Sequence, residues 1–184
     1  VCGVLVTRDT GVSGWALAEG IAASRRYGEL PDRRERRVRR VRFMGKDIRR
    51  RGRLEELGLI VLHVLRCCEE SARKALEGLR CGCAEENARW AEEEKMFCHN
   101  AFSNHSVLFG KDGYLIHDFE TVQLAEPVMD LARMMEKLLR KNGWQTEQAC
   151  ELLSAYEEVR SLRSYERKVL YYYLLYPKRV LELA

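Results

Sequence analysis

Between Cys98 and Asp130 the chain gathers side chains able to move a proton or hold an ion. They are His99, His105 and His117, three of its four histidines, with Asp112, Asp118 and Asp130. An imidazole titrates near neutrality and serves as a base or as a loop anchor, and a carboxylate accepts a proton or ligates a hard cation. Two apolar runs, Ser106–Gly110 and Tyr114–Asp118, flank Lys111-Asp112-Gly113. Asp-Gly between apolar runs predicts a hairpin, because Gly tolerates the positive φ such a turn needs. The expected order is a loop over 99–105, a strand over 106–110, a turn and a strand over 114–118. That order holds polar groups at a cleft floor. His117, next to Asp118 on a strand, is expected to face away from it.

Helices must carry this stretch. Over 53–80, Leu54, Leu57, Ile60, Val61, Val64, Leu65, Cys68, Ala72, Ala75, Leu76 and Leu79 recur at three and four residues, the pattern of a buried helical face. Leu59–Leu65 is apolar nearly all round, which predicts a central helix with His63 as a core histidine. Gly78 and Gly82 bracket its expected end. A short acidic helix carrying Trp90 follows over 84–95. Pro127 suits a first helical turn, and Val128, Leu131, Met134, Met135, Leu138 and Leu139 share a face up to Gly143. Thr146 is expected to cap the next helix. A Tyr-rich helix over 164–176 and a short one from Pro177 to Leu183 complete the chain, with the tyrosines in core and interface packing. A weak hairpin pattern occupies 1–20.

The chain has 184 residues, 46% hydrophobic and 33% charged, with three prolines, as suits a mainly helical globular domain. No apolar run reaches the roughly 18 residues a membrane span needs, and the first residues lack the basic start of a signal peptide. No membrane partner is expected. The seven cysteines are irregularly spaced and read as reduced structural thiols; Cys81, Cys83, Cys98 and His99 do not follow a familiar zinc spacing. Residues 25–53 hold fourteen basic and four acidic residues, a local +10 in a chain of net +4. Such polarity offers an anionic partner Arg33, Arg34, Arg36, Arg37, Arg39 and Arg40. The preferred reading is a solvated helical arm docked through Val38, Val41 and Met44, since aromatics for base stacking are nearly absent there.

Phosphoryl transfer asks a protein for a carboxylate to receive the hydroxyl proton, ligands for a metal on the phosphates, and a cleft. Kinase-like proteins supply the first two from one loop and a neighbouring hairpin. Loop, strand, turn, strand and then Asp118-Phe119-Glu120 is that layout. Over residues 50–184 the sequence resembles the C-terminal lobe of the CotS-type spore-coat proteins, kinase-fold relatives of aminoglycoside phosphotransferases and choline kinases. In those relatives the loop reads His, any residue, Asp, four residues, Asn. Here it reads His99, Asn100, Ala101, four residues, Ser106. The metal-binding aspartate of the family corresponds to Asp118, and the aspartate that braces the loop from beneath corresponds to Asp130. The tail from Ala155 to Arg179, with its Tyr176-Pro177 pair, also resembles the coat-protein branch.

The resemblance implies a mainly α (α+β) fold: a helical lobe over 53–184 with a small hairpin carrying the loop, preceded by a basic segment over 1–52 left from the region between lobes. It implies that His99 anchors the loop. Ala101 has no proton acceptor, and Ser106 offers only a short hydroxyl where an Asn would ligate metal. Loss of a general base alone costs about 10²–10⁴ in rate. No G-x-G-x-x-G or V-A-I-K segment occurs in the sequence. His105 and Asp112 could replace the base, but they read as a loop-surface residue and a turn former. The expected protein is thus a non-catalytic, kinase-fold structural protein made in the cytoplasm and placed in the spore coat, with coat proteins or a second copy as partners. No cofactor is expected. Two alternatives stand beside it: a small-molecule phosphotransferase using ATP and Mg²⁺ through Asp118, and an anion- or nucleic-acid-binding protein acting through the arginines.

Overall fold

The computed structural model describes residues 23–50, 56–110 and 113–182. The hairpin expected over 1–20 and the turn residues Lys111 and Asp112 lie outside them. Among the described residues, seven helices and four short strands follow in the order β1 (Ser24–Arg25), α1 (Leu30–Arg50), α2 (Glu56–Gly78), α3 (Ala84–Glu93), β2 (Val107–Gly110), β3 (Gly113–Ile116), β4 (Gln123–Leu124), α4 (Val128–Lys141), α5 (Thr146–Glu157), α6 (Ser164–Leu175) and α7 (Lys178–Glu182). The architecture is mainly helical, as the periodicity predicts.

The main core gathers α4 and α6 around the start of α3. Val128, Leu131, Ala132 and Met135 of α4 meet Val169, Leu170 and Tyr173 of α6, with Leu79 and Cys83 from the turn after α2. Val128, Leu131, Met135 and Leu139 keep the three-and-four spacing of one buried face. A second core lies where α1 crosses α2. Val38 and Val41 pack on Ala72, Ala75 and Leu76, and Tyr176 and Leu181 close it. Small residues on α2 let the helices approach closely. Gly78 is the extreme case, since any β-carbon there would collide with the Tyr172 ring of α6.

Several elements differ from expectation. The first half of α2 is not central: Leu57, Leu59, Ile60, Val61 and Val64 are exposed. His63 is exposed too, with Nε2 3.7 Å from Cys67 Sγ. An apolar run reports what a helix prefers to bury, not what its neighbours cover. Gly82 does not end a helix before a loop. It takes φ +94° inside a wide turn, Leu79–Cys83, that leads directly into α3. Thr146 is the first residue of α5, with Gln145 in the cap position, and no side-chain cap forms. β3 stops at Ile116, two residues earlier than expected.

The hairpin pairs β2 and β3 antiparallel in register Val107 with Ile116 and Phe109 with Tyr114. The other sheet was not foreseen: β1 runs parallel to β4, pairing Ser24 with Gln123 and Arg25 with Leu124. Cys98 bridges to Gln123 on the same short ladder. The segment before α1 and the segment before the loop are therefore tied to one strand. Among the described residues no helix is long and apolar enough to cross a membrane.

Candidate functional site

The loop after Cys98 is held from beneath by α4. Asp130, in the first turn of that helix, is 3% exposed. One carboxylate oxygen accepts the backbone N–H of His99 at 2.6 Å and the other accepts that of Asn100 at 2.9 Å. Arg133, one turn on, lies 3.4 Å from the same carboxylate. Burial pushes the Asp130 carboxyl above its ordinary range, against the pull of Arg133 and the two amides. Asn100 adopts a left-handed conformation, φ +68°, which turns the chain sharply after the anchored pair.

His99 is fully buried, and its Nε2 lies 2.8 Å from the carbonyl of His117. A carbonyl only accepts, so Nε2 carries the proton. Nδ1 has no hydrogen-bond partner among the described residues. The ring lies against Phe102 and Phe119, with centroids 5.8 and 4.9 Å away. Thr121 Oγ1 donates to the His99 carbonyl at 2.8 Å. The structure thus joins His99, Asp130 and the strand that leads to Asp118.

The remaining positions are Ala101, Ser106, Asp118 and His105. Ala101 is exposed and presents a methyl. Ser106 is 3% exposed, and its hydroxyl turns inward to the Ala101 carbonyl at 3.4 Å. Its own carbonyl accepts the His117 N–H at 3.0 Å. Asp118 is left-handed, φ +67° and ψ +43°, with its side chain 63% exposed. His117 Nδ1 lies 2.9 Å from Asp118 Oδ1, so the two side chains meet instead of facing apart. Strand alternation fails because β3 has already ended and Asp118 reverses the backbone. His105 is exposed, and its N–H is held by Ser103 Oγ at 3.3 Å.

These donors do not fit a magnesium site. Magnesium takes near-octahedral oxygen ligands, usually from one or two carboxylates with substrate phosphates. Asp118 supplies one carboxylate, already against His117, and the Ser106 hydroxyl is turned to Ala101. Among the described residues no three His, Cys, Asp or Glu side chains gather to hold a metal. Cys83 donates to the Gly78 carbonyl at 3.3 Å, and burial pushes the Cys98 thiol up to about 12.

The arginines of α1 divide into two groups. Arg34 is buried, its guanidinium 4.1 Å from the ring centres of both Tyr173 and Tyr176 and donating to the Tyr173 carbonyl at 3.1 Å. Burial lowers its pKa to about 10. Arg37 pairs with Glu182, and Arg39 with Glu35 at 2.9 Å. Arg33, Arg36 and Arg40 are exposed without an ion-pair partner among the described residues. Within the expected arm, then, Arg34 is a packing residue.

Sequence reasoning did not find the cleft beside the loop. Residues Asn100 to Ser103 form one wall of a cavity of about 240 Å³, and Arg133, Lys137, Arg140, Lys178 and Arg179 form much of the rest. The readable signal was Arg133, Lys137 and Arg140 recurring at helical spacing after Asp130. The contribution of α7 needed the fold.

An aminoglycoside phosphotransferase from Alicyclobacillus acidocaldarius is similar to this chain in fold, with a TM-score of 0.71 at 16% identity, covering 85% of this chain and 46% of that one. The chain therefore spans about half the length of that relative, and the likeness shows part of a kinase-like fold. No curated protein matches the sequence. The profile described as the Phosphotransferase enzyme family matches residues 13–169, and the chain belongs to that family.

Proposed function

We propose that this chain is a non-catalytic member of its family, in which the loop is kept as a scaffold and binding surface. One observation carries the reading: Asp130 and His99 hold the loop in place, and the residue so positioned, Ala101, has no group to accept a proton. Ser106, spent on the Ala101 carbonyl, and the single carboxylate Asp118 support it from the metal side. On this reading neither ATP nor Mg²⁺ is a working cofactor, and the partners are other proteins or a second copy of the chain. A place in a bacterial spore coat is the finer form of the proposal, supported by the resemblance of the tail around Tyr176-Pro177.

The test incubates the purified full-length product with labelled ATP, Mg²⁺ and a panel of hydroxyl and amine acceptors. No transfer above background is expected, and none that depends on Asp118. Transfer abolished by Asp118→Ala would overturn the proposal. The second reading, a small-molecule phosphotransferase, is favoured by one observation, the exposed Asp118 carboxylate at the end of the hairpin. Aminoglycosides, after which the solved relative is named, are poor candidates for an acceptor here. They are polycations, and the cleft beside Ala101 is basic.

A further inference from the structure

We propose that the cleft beside Asn100–Ser103 is a binding site for a small molecule carrying a phosphate ester. Among the described residues lining it, Glu136 is the one carboxylate, against five cations. A second cavity of about 250 Å³ shares Asn100, Arg133 and Lys178 with the first and adds Arg33, Arg34 and Arg37, with Glu182 as its carboxylate. The two form one basic groove from the loop to the junction of α1 and α7.

Three of the five cations are paired with carboxylates, and two, Lys137 and Arg140, exceed what the fold's ion pairs use. Cations in the last turn of a helix favour its dipole, which accounts for Arg140 and in part for Lys137. It does not account for Lys178 and Arg179, which come from α7, or for Arg133 in the middle of α4. Lys178 sits 3.3 Å from Glu136, and Arg179 lies 4.0 Å from Glu182. Lys137 and Arg140 have no ion-pair partner among the described residues. These two like charges on α4 repel each other, and a bound anion removes that repulsion.

The site is also preformed. Arg133 is held by Asp130, and Lys178 is held by Glu136. Fixed cationic donors recognise a tetrahedral anion with little ordering cost. Ala101 fits the same picture: an acidic side chain at that point of the wall would repel the ligand. The volumes suit a small molecule and not the long track a nucleic acid follows. Binding of this kind does not require that the chain transfer phosphate.

Calorimetric titration with inorganic pyrophosphate at low salt tests it, with no ATP present. The expected result is saturable binding at one site, weakened about tenfold or more in Lys137→Gln/Arg140→Gln, as loss of charge-assisted hydrogen bonds predicts. Arg36→Gln/Arg40→Gln, exposed on α1 outside the groove, should bind as the parent does. Ala101→Asp should also weaken binding. A neutral hexose and spermidine should not bind. No saturation with pyrophosphate, or equal losses in the two double variants, overturns the site. Sedimentation with phosphatidic acid vesicles in the absence of pyrophosphate binding overturns it in favour of a membrane surface. Unfolding temperatures of the variants equal to the parent show that any loss is local.

Discussion

The Asp130 carboxylate receives the backbone N–H of His99 at 2.6 Å, across 31 residues of sequence. With the second bond to Asn100 it fixes the entry to the loop from a helix that belongs to the main core. Asp130→Ala leaves the buried His99 N–H and the half-buried Asn100 N–H without an acceptor and Arg133 without its carboxylate. The expected cost is about 2–4 kcal/mol. Asp130→Asn keeps one acceptor oxygen and should fall between. Urea unfolding gives the cost. Amide hydrogen exchange should quicken first at His99 and Asn100, and unchanged protection there would show that the loop is held by other contacts.

Glu126 gives a pH signature. It is 5% exposed and accepts the N–H of Gly28, at φ +71°, over 2.8 Å, joining the turn before α1 to the segment after β4. Burial raises its pKa above the ordinary 4.5. The folded state therefore holds this proton more tightly than the unfolded one. Stability from this group is fully present below the ordinary value and is lost as pH rises through the raised folded value. Glu126→Gln has no such proton. Its stability relative to the parent should grow with pH above the ordinary value and then level off. Unfolding curves from about pH 4 to about pH 8 measure the difference, and a difference that falls with pH contradicts the assignment.

Gly78 and Tyr172 set the approach of α2 to α6. A β-carbon at Gly78 would overlap the Tyr172 ring, so Gly78→Ala should destabilise by about 1–3 kcal/mol through overpacking, despite the better helix propensity of Ala. The cost should shrink when Tyr172 is also changed to Ser. A double-mutant cycle reads this coupling directly, and additive effects would place the strain elsewhere.

These contacts show where sequence reading reaches its limit. The spacing of Val128, Leu131, Met135 and Leu139 announces a buried face, because one helix generates that period by itself. The same reasoning misplaces Leu57–Val64, where the apolar residues are present and the covering neighbour among the described residues is not. The β1–β4 pair has two residues a side and joins Ser24 to Gln123, too short and too distant for a local signal. Asp130 was legible through resemblance alone, since its partners are backbone amides that carry no residue code. The pairing of His117 with Asp118 depends on one backbone reversal at Asp118 that alternation cannot anticipate. The basic cleft required α4 and α7 to be seen side by side.

The Arg160–Glu166 pair was invisible to the sequence reading and should be the costliest polar contact to break. Glu166 is fully buried, and its two oxygens receive Arg160 Nη1 and Nη2 at 3.0 and 2.8 Å. It also accepts the Arg163 N–H at 3.0 Å, closing the first turn of α6. Arg160 in turn reaches the Tyr156 hydroxyl at 2.7 Å, linking the end of α5 to the start of α6. Glu166→Ala strands a guanidinium that is 19% exposed and leaves an orphan N–H, for an expected loss of about 3–5 kcal/mol. Arg160→Met leaves a buried carboxylate that still holds the Arg163 N–H. Restoring a hydrogen-bonding partner in Glu166→Gln should recover part of the loss, since an amide oxygen can still accept the Arg163 N–H. Chemical denaturation of the three variants measures the losses, and a cost below about 1 kcal/mol for Glu166→Ala would show that the pair does not hold α5 to α6.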